Sequence, residues 1–149
     1  MLVAVYENQK YSTFLAPLKK KGEIENFFKD SNEPLVLLGA GPGLSDQSEE
    51  VIEWLTLNSI PFVSSWNGMC FIKSDNKNYY GNIGVYGNRG ANFILQSCDK
   101  LLVLGSRLDN RQRGSNVDTF APLADVLVID VDEEELKKHL NEPRYRIQK

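Results

Sequence analysis

Histidine and cysteine are almost missing from this sequence: His139 is its one imidazole, and Cys70 and Cys98 are its two thiols among 149 residues. A single histidine near the end of the chain excludes a Ser-His-Asp relay. With no cysteine, carboxylate or second histidine at ligand spacing around it, it also excludes a zinc-type centre. The two cysteines form no CxxC and read as free thiols of a reducing, cytoplasmic protein. No run approaches the roughly 18 apolar residues of a membrane helix. The apolar start, Met1 to Tyr6, gives way at once to Glu7, Asn8, Gln9 and Lys10 and has no basic flank, so no secretory signal is expected. Charge of one sign is not in excess either. Lys and Arg number 17 against 20 Asp and Glu, a net charge of −3, which gives no electrostatic basis for holding nucleic acid or an anionic membrane. The basic run Lys19-Lys20-Lys21 reads as a solvated segment.

What is there is an ordinary globular composition, 42% hydrophobic and 25% charged, at a length that suits one domain. Residues 1–33 read as a lead-in linker ending in a short helix with an Ile24, Phe27, Phe28 stripe; residues 34–149 read as the domain. Three continuous apolar runs have strand length, 35–38, 101–104 and 126–129, and Phe62-Val63-Ser64-Ser65 reads as a further strand. Continuous rather than alternating apolarity is the mark of strands covered on both faces. Helical segments separate them. Val51, Ile52 and Leu55 give one helix its buried face, with Ser45 or Asp46 as its cap and Asp46 with Glu49 as a capping box. Ala91, Ile94, Leu95 and Cys98 give another. The last helix spans Glu133 to Leu140 behind Asp132 as N-cap, which puts His139 in its final turns, where a cation suits the dipole. Glu133-Glu134-Glu135 reads as a first-turn acidic cluster, Trp54 as a packing residue and Trp66 to Tyr86 as a glycine-punctuated loop. Strands alternating with helices imply a parallel α/β sheet with right-handed crossovers. Its core should include Val36, Leu37, Val63, Leu102, Val103, Val128 and Ile129.

Such sheets bind ligands beyond the carboxyl ends of their strands. The residues there are Gly39, Ala40 and Gly41; Ser64 to Gly68; Gly105, Arg107, Asp109 and Arg111; and Asp130. Glycines that let a backbone approach a pyrophosphate, bare amides, two guanidinium groups and a carboxylate for ribose hydroxyls together suit a nucleotide. The same residues also fit plainer roles, the glycines in tight turns and Arg107 paired with Asp109 or Asp130. The usual NAD fingerprint does not fit. The glycine run is GxGxG rather than GxGxxG, and no carboxylate ends the second strand.

Five blocks in order carry a family resemblance: Pro34 to Gly41, Ile60 to Gly68, Tyr80 to Gly87 with Ala91-Asn92, Cys98 to Arg111, and Val128 to Asp132. Over about residues 34–140 the chain resembles the central domain of thiamine-diphosphate enzymes of the acetolactate synthase type. The resemblance implies a Rossmann-like three-layer parallel sheet of about five or six strands with helices on both faces. It implies a three-domain parent that decarboxylates a 2-oxo acid and transfers the fragment to an acceptor. Thiamine diphosphate and Mg²⁺ belong to the outer domains, one with a catalytic glutamate and the other with a Gly-Asp-Gly motif absent here. This chain would then be a non-catalytic partner of those pyrimidine- and diphosphate-binding domains within a homo-oligomer.

Carried over by position, the cofactor-binding set is Gly39, Ala40, Gly41, Ser65, Trp66, Gly84, Val85, Gly105, Arg107, Asp109, Arg111, Asp130 and Val131. It would hold FAD or ADP, with adenosine near Asp130 and phosphates near Gly39–Gly41, Arg107 and Arg111. Two departures fall inside the set's loops: Tyr86 stands where the family has histidine and Val85 where it has methionine. Trp66 is bulkier than the family's residue and narrows the flavin end. A free-standing nucleotide-binding or interaction module without catalytic activity is the alternative that the residues leave open.

Overall fold

The computed structural model describes residues 21–139 and the backbone of a strand at 145–147. In chain order the elements are α1 (Lys21–Phe28), β1 (Pro34–Leu38), α2 (Gly41–Leu44), α3 (Ser48–Leu57), β2 (Phe62–Ser64), β3 (Tyr79–Asn82), α4 (Arg89–Ser97), β4 (Lys100–Leu104), α5 (Asn110–Arg113), β5 (Asp125–Ile129), α6 (Glu133–Lys137) and β6 (Tyr145–Ile147). Single 3₁₀ turns lie at Gly68–Phe71 and Val117–Thr119. The described strands form one sheet in the order β3-β2-β1-β4-β5-β6, and every pairing is parallel. The expected Rossmann-like α/β architecture is present, and its order reverses direction between β1 and β4, the switch point of a doubly wound sheet.

Alternation along the strands builds two cores. Leu35, Leu37, Leu101, Val103, Val126 and Val128 face α4, α6 and the 117–124 segment. Val36, Leu38, Leu102, Leu104, Leu127 and Ile129 face α1 and α3. A strand buried on both sides cannot alternate polar with apolar, which is why β1, β4 and β5 read as unbroken runs. All seven expected core residues are between 0 and 7% exposed. At about 1.5–3 kcal/mol for each fully buried large aliphatic side chain, these strands are the main source of stability. The lead-in helix α1 belongs to the same core through Ile24 and Phe27. It is anchored by Asp99, whose carboxylate accepts from the Ser31 hydroxyl and from the Asn32 and Glu33 amides at 2.7 and 3.2 Å.

Three expectations on local structure are corrected. Neither Ser45 nor Asp46 caps the helix after β1. The extra turn α2 intervenes, the Ser45 hydroxyl donates back to the Gly41 carbonyl at 3.0 Å, Asp46 takes φ +56°, and the N-cap of α3 is Gln47. The Trp66–Tyr86 stretch is not all loop. β3 lies within it as an edge strand, half polar because only one long side is paired, with the Tyr79 and Ser64 hydroxyls 2.8 Å apart. The last helix stops at Lys137 rather than Leu140, a position outside the described residues.

At the switch point the turns after β1 and β4 meet backbone to backbone. A Cβ on Gly39 would stand 1.9 Å from the Gly105 carbonyl oxygen, and one on Gly105, at φ +57°, 2.7 Å from the Gly41 Cα. No flexible side chain can move aside there. Gly39→Ala should therefore lower unfolding free energy by about 3 kcal/mol or more, since even ordinary overpacking costs 1–3 kcal/mol. Urea denaturation followed by circular dichroism checks this, and an unchanged midpoint would contradict it.

Candidate functional site

Because all described strands run in one direction, the five segments singled out in the sequence emerge on one edge of the sheet. The structure divides their residues into three groups.

Gly39, Ala40, Gly41 and Gly105 form the floor. The Gly39 amide donates to the Leu104 carbonyl at 2.8 Å, the Gly41 amide to Gly105 at 3.1 Å, and the Gly105 amide to Ile129 at 2.9 Å. The expectation of bare amides is corrected at Gly39 and Gly41, whose donors extend the β1–β4 ladder instead of facing a phosphate.

Ser65, Trp66, Val85, Asp109 and Arg111 come together around a cleft of about 360 Å³, which Asn67, Ile83, Tyr86 and Gln112 complete. Ser65 is buried, its hydroxyl accepting from the Gly68 amide at 3.1 Å. Gly84, at φ +102°, is held by Asn92, whose side-chain amide accepts from the Gly84 N–H and donates to its carbonyl, both at 3.0 Å. The Val85 amide donates to the Arg111 carbonyl at 3.1 Å, tying this loop to α5. Asp109 is the N-cap of α5, accepting from the Arg111 and Gln112 amides at 2.8 and 3.2 Å. Its neighbour Leu108 is buried at φ +47°, a left-handed conformation that bulky residues avoid. The rim is apolar and exposed: Trp66 is 58% and Tyr86 78% accessible, and their rings meet edge to face at 6.2 Å. On the other side of α5 a shallower recess of about 440 Å³ is lined by Leu108, Asp109, Asn110, Arg111, Arg113 and Lys138.

Arg107, Asp130 and Val131 lie apart, beside α6. Arg107 pairs with neither Asp109 nor Asp130. Its Nε and Nη2 both donate to Glu135 Oε1, at 2.9 and 2.7 Å, while Lys138 binds Oε2. Burial opposes ionisation of Glu135, but the Lys138 and Arg107 bonds prevail and hold its carboxyl below the usual range. Burial pushes the Asp130 carboxyl up, with the Asp132 and Glu135 charges adding to it and the Asp132 and Val131 amides opposing. Sequence reasoning took Glu135 for part of an acidic cluster. Its helical spacing to the cap Asp132 and to Lys138 was the available signal. Asn92 and Gln112 were missed as well, being polar positions whose partners lie across loops.

His139 is not a cation at the end of a helix. It follows α6, is 1% exposed, and its pKa is pushed down to about 4 by burial first and then by the Arg113 and Lys138 charges. Cys70 and Cys98 are free thiols, and burial, with the Asp99 charge beside it, raises the Cys98 pKa to about 12, which keeps it an unreactive thiol. Among the described residues no three His, Cys, Asp or Glu side chains are grouped to hold a metal ion, and no helix is long and apolar enough to cross a membrane.

Comparison with known proteins agrees with this architecture. The family model described as "Thiamine pyrophosphate enzyme, central domain" matches residues 23–148. The chain is 32% identical over 108 residues to the acetolactate synthase isozyme 2 large subunit of Escherichia coli, covering 72% of this chain and 20% of that protein. It is 33% identical over 120 residues to the acetolactate synthase large subunit of Cyanidium caldarium, 78% of this chain and 20% of that one. A probable acetolactate synthase large subunit of Methanocaldococcus jannaschii is 31% identical over 111 residues, 74% and 19%. The chain thus spans about one fifth of the length of these relatives.

His139 generates a pH prediction. Its folded pKa lies below the unfolded value near 6.5, so the unfolded chain binds the extra proton and stability falls as pH drops from about 6.5 towards 4. His139→Leu should remove that slope while leaving the acid loss at lower pH that comes from Asp99 and Glu135. Urea midpoints at pH 7, 5.5 and 4.5 measure it; equal slopes in both proteins would contradict it.

Proposed function

Given that the chain belongs to the family of thiamine pyrophosphate enzyme central domains, we propose that it is the non-catalytic central domain of an acetolactate synthase-like enzyme, a parent that decarboxylates a 2-oxo acid of the pyruvate type and joins the fragment to an acceptor. The family match over residues 23–148 carries this reading. In it the thiamine diphosphate and Mg²⁺ are held by the parent's pyrimidine- and diphosphate-binding domains, and the cofactor supplies the carbanion chemistry there. The parent would assemble as a homo-oligomer in the cytoplasm, the compartment that suits two free thiols.

The chain's own task is to present the carboxyl edge of its sheet to a nucleotide, FAD or ADP. Ser65, Trp66, Gly84, Val85, Asp109 and Arg111 border one end of that edge, and Asp130 and Val131 border the other. The cleft supports a nucleotide by its chemistry: an aromatic wall for a ring, a guanidinium for a phosphate and backbone walls fixed by hydrogen bonds.

Two outcomes are expected of the purified 149-residue chain. With pyruvate, thiamine diphosphate and Mg²⁺ it forms no acetolactate above a no-protein control, because the reaction needs the outer domains. In calorimetric titration it binds ADP or FAD with one-to-one stoichiometry. Acetolactate formation would overturn the non-catalytic reading, and no heat from either ligand at millimolar concentration would overturn the nucleotide reading.

A further inference from the structure

The helical layers on the two sides of the sheet differ in what they show to solvent. Over the second core, α1 and α3 expose Glu23, Glu25, Glu49, Glu50 and Glu53. Over the first core, α4 exposes Arg89, Gly90, Phe93, Gln96 and Ser97 and contains no carboxylate. Phe93 stands in the middle of this face, 73% accessible. Two more large apolar side chains lie on the same layer. Tyr79 packs in the second core and stacks on Phe62, so alternation along β3 turns the exposed Tyr80 to the other side, where α4 packs against the strand. The exposed Leu123 sits in a turn that the Ala124 amide closes on the Ala121 carbonyl at 3.0 Å, and both alanines belong to the first core. Apolar groups exposed singly are ordinary on a protein surface. Three on one layer, around a helix face that lacks carboxylates, have the composition of a surface that another protein covers.

Charge identifies the occupant. Arg89 lies one turn before Phe93, about 6 Å along the helix axis. Gln96 lies one turn after it, and its side-chain amide donates to the Thr119 carbonyl at 3.1 Å, which sets the exposed Asp118 beside that end of the helix. Neither Arg89 nor Asp118 is in an ion pair among the described residues. A cation, an aromatic ring and an anion therefore follow one another across the face. A two-fold axis through the ring makes that sequence complementary to itself: Arg89 of each copy meets Asp118 of the other, and the two Phe93 rings pack together at the centre. The α1–α3 layer does not pair in this way, because two copies would set glutamates against glutamates. Resting on the homo-oligomer reading above, we propose that the α4 layer is the surface through which two copies of this chain associate, centred on Phe93 with the Arg89–Asp118 pairs at its rim.

Sedimentation equilibrium of the full chain over about 10 to 500 µM is the test, because self-association must follow concentration. The expected result is an apparent mass that rises from 16.9 kDa towards twice that value. Phe93→Glu, which sets two like charges at the centre, should weaken association at least about tenfold. Arg89→Asp and Asp118→Arg should each weaken it about threefold. The double variant Arg89→Asp with Asp118→Arg should recover the association, which a merely damaged fold would not do. Leu57→Glu, on the exposed end of α3, should change nothing. Circular dichroism confirms that each variant is folded. A dimer that survives Phe93→Glu, or one that the double variant fails to recover, would overturn the α4 surface and leave the homo-oligomer reading standing. A chain that stays monomeric at every concentration would overturn this proposal, while sedimentation of the whole parent decides the homo-oligomer reading separately.

Discussion

The contact on which the rest of the molecule depends is the approach of two backbones, the turn after β1 against the turn after β4. The sheet order reverses here, and in an open α/β sheet such a reversal leaves a crevice. In this chain Gly39 and Gly105 close it, each leaving out a Cβ that would collide with the other's turn. The closure extends the parallel ladder past the strand ends through the Gly39, Gly41 and Gly105 amides. It fixes where α2 and the 105–109 segment begin. Beside the closed seam, on the β2–β3 side, Trp66, Tyr86 and α5 enclose one cleft, and a second recess opens beyond α5 towards Lys138.

Charge serves the same frame. Asp109 and Asp132 cap the first turns of α5 and α6, and Asp99 fastens the segment leading into β1. Glu135 fixes Arg107 and Lys138 together. In a chain of nearly balanced charge, these pairings commit Arg107, Lys138, Glu135 and the three aspartates to the frame. Arg111 is held by its backbone rather than by its guanidinium, so it carries its charge into the cleft. The burial that keeps His139 neutral removes a further charge from the neighbourhood of α6.

Much of the fold was legible in the sequence, for a physical reason. Strands buried on both faces must be continuously apolar, so β1, β4 and β5 announced themselves and their core residues followed. β3 did not, because an edge strand with Tyr80, Gly81 and Asn82 carries the polarity of a loop. The failed cap at Asp46 came from an unseen turn, α2, inserted ahead of the helix. At the strand ends the sequence located the right residues without their partners. It marked the glycines for open space, but their amides are bonded. It weighed Arg107 against Asp109 and Asp130, while the partner is Glu135, brought in by the geometry of α6. Residue type fixes what a group can do; which neighbour engages it is a tertiary property.

The central claim is that ligand chemistry at this edge lies on the β2–β3 side of the closed seam. Amide chemical-shift mapping of the isotopically labelled chain during ADP titration tests it most directly. The account predicts saturable shifts at Trp66, Gly84, Tyr86, Arg111 and Gln112, with Gly39, Gly41 and Gly105 still. Shifts centred on Gly39 to Gly41 and Asp130, with Trp66 and Tyr86 unmoved, would contradict it.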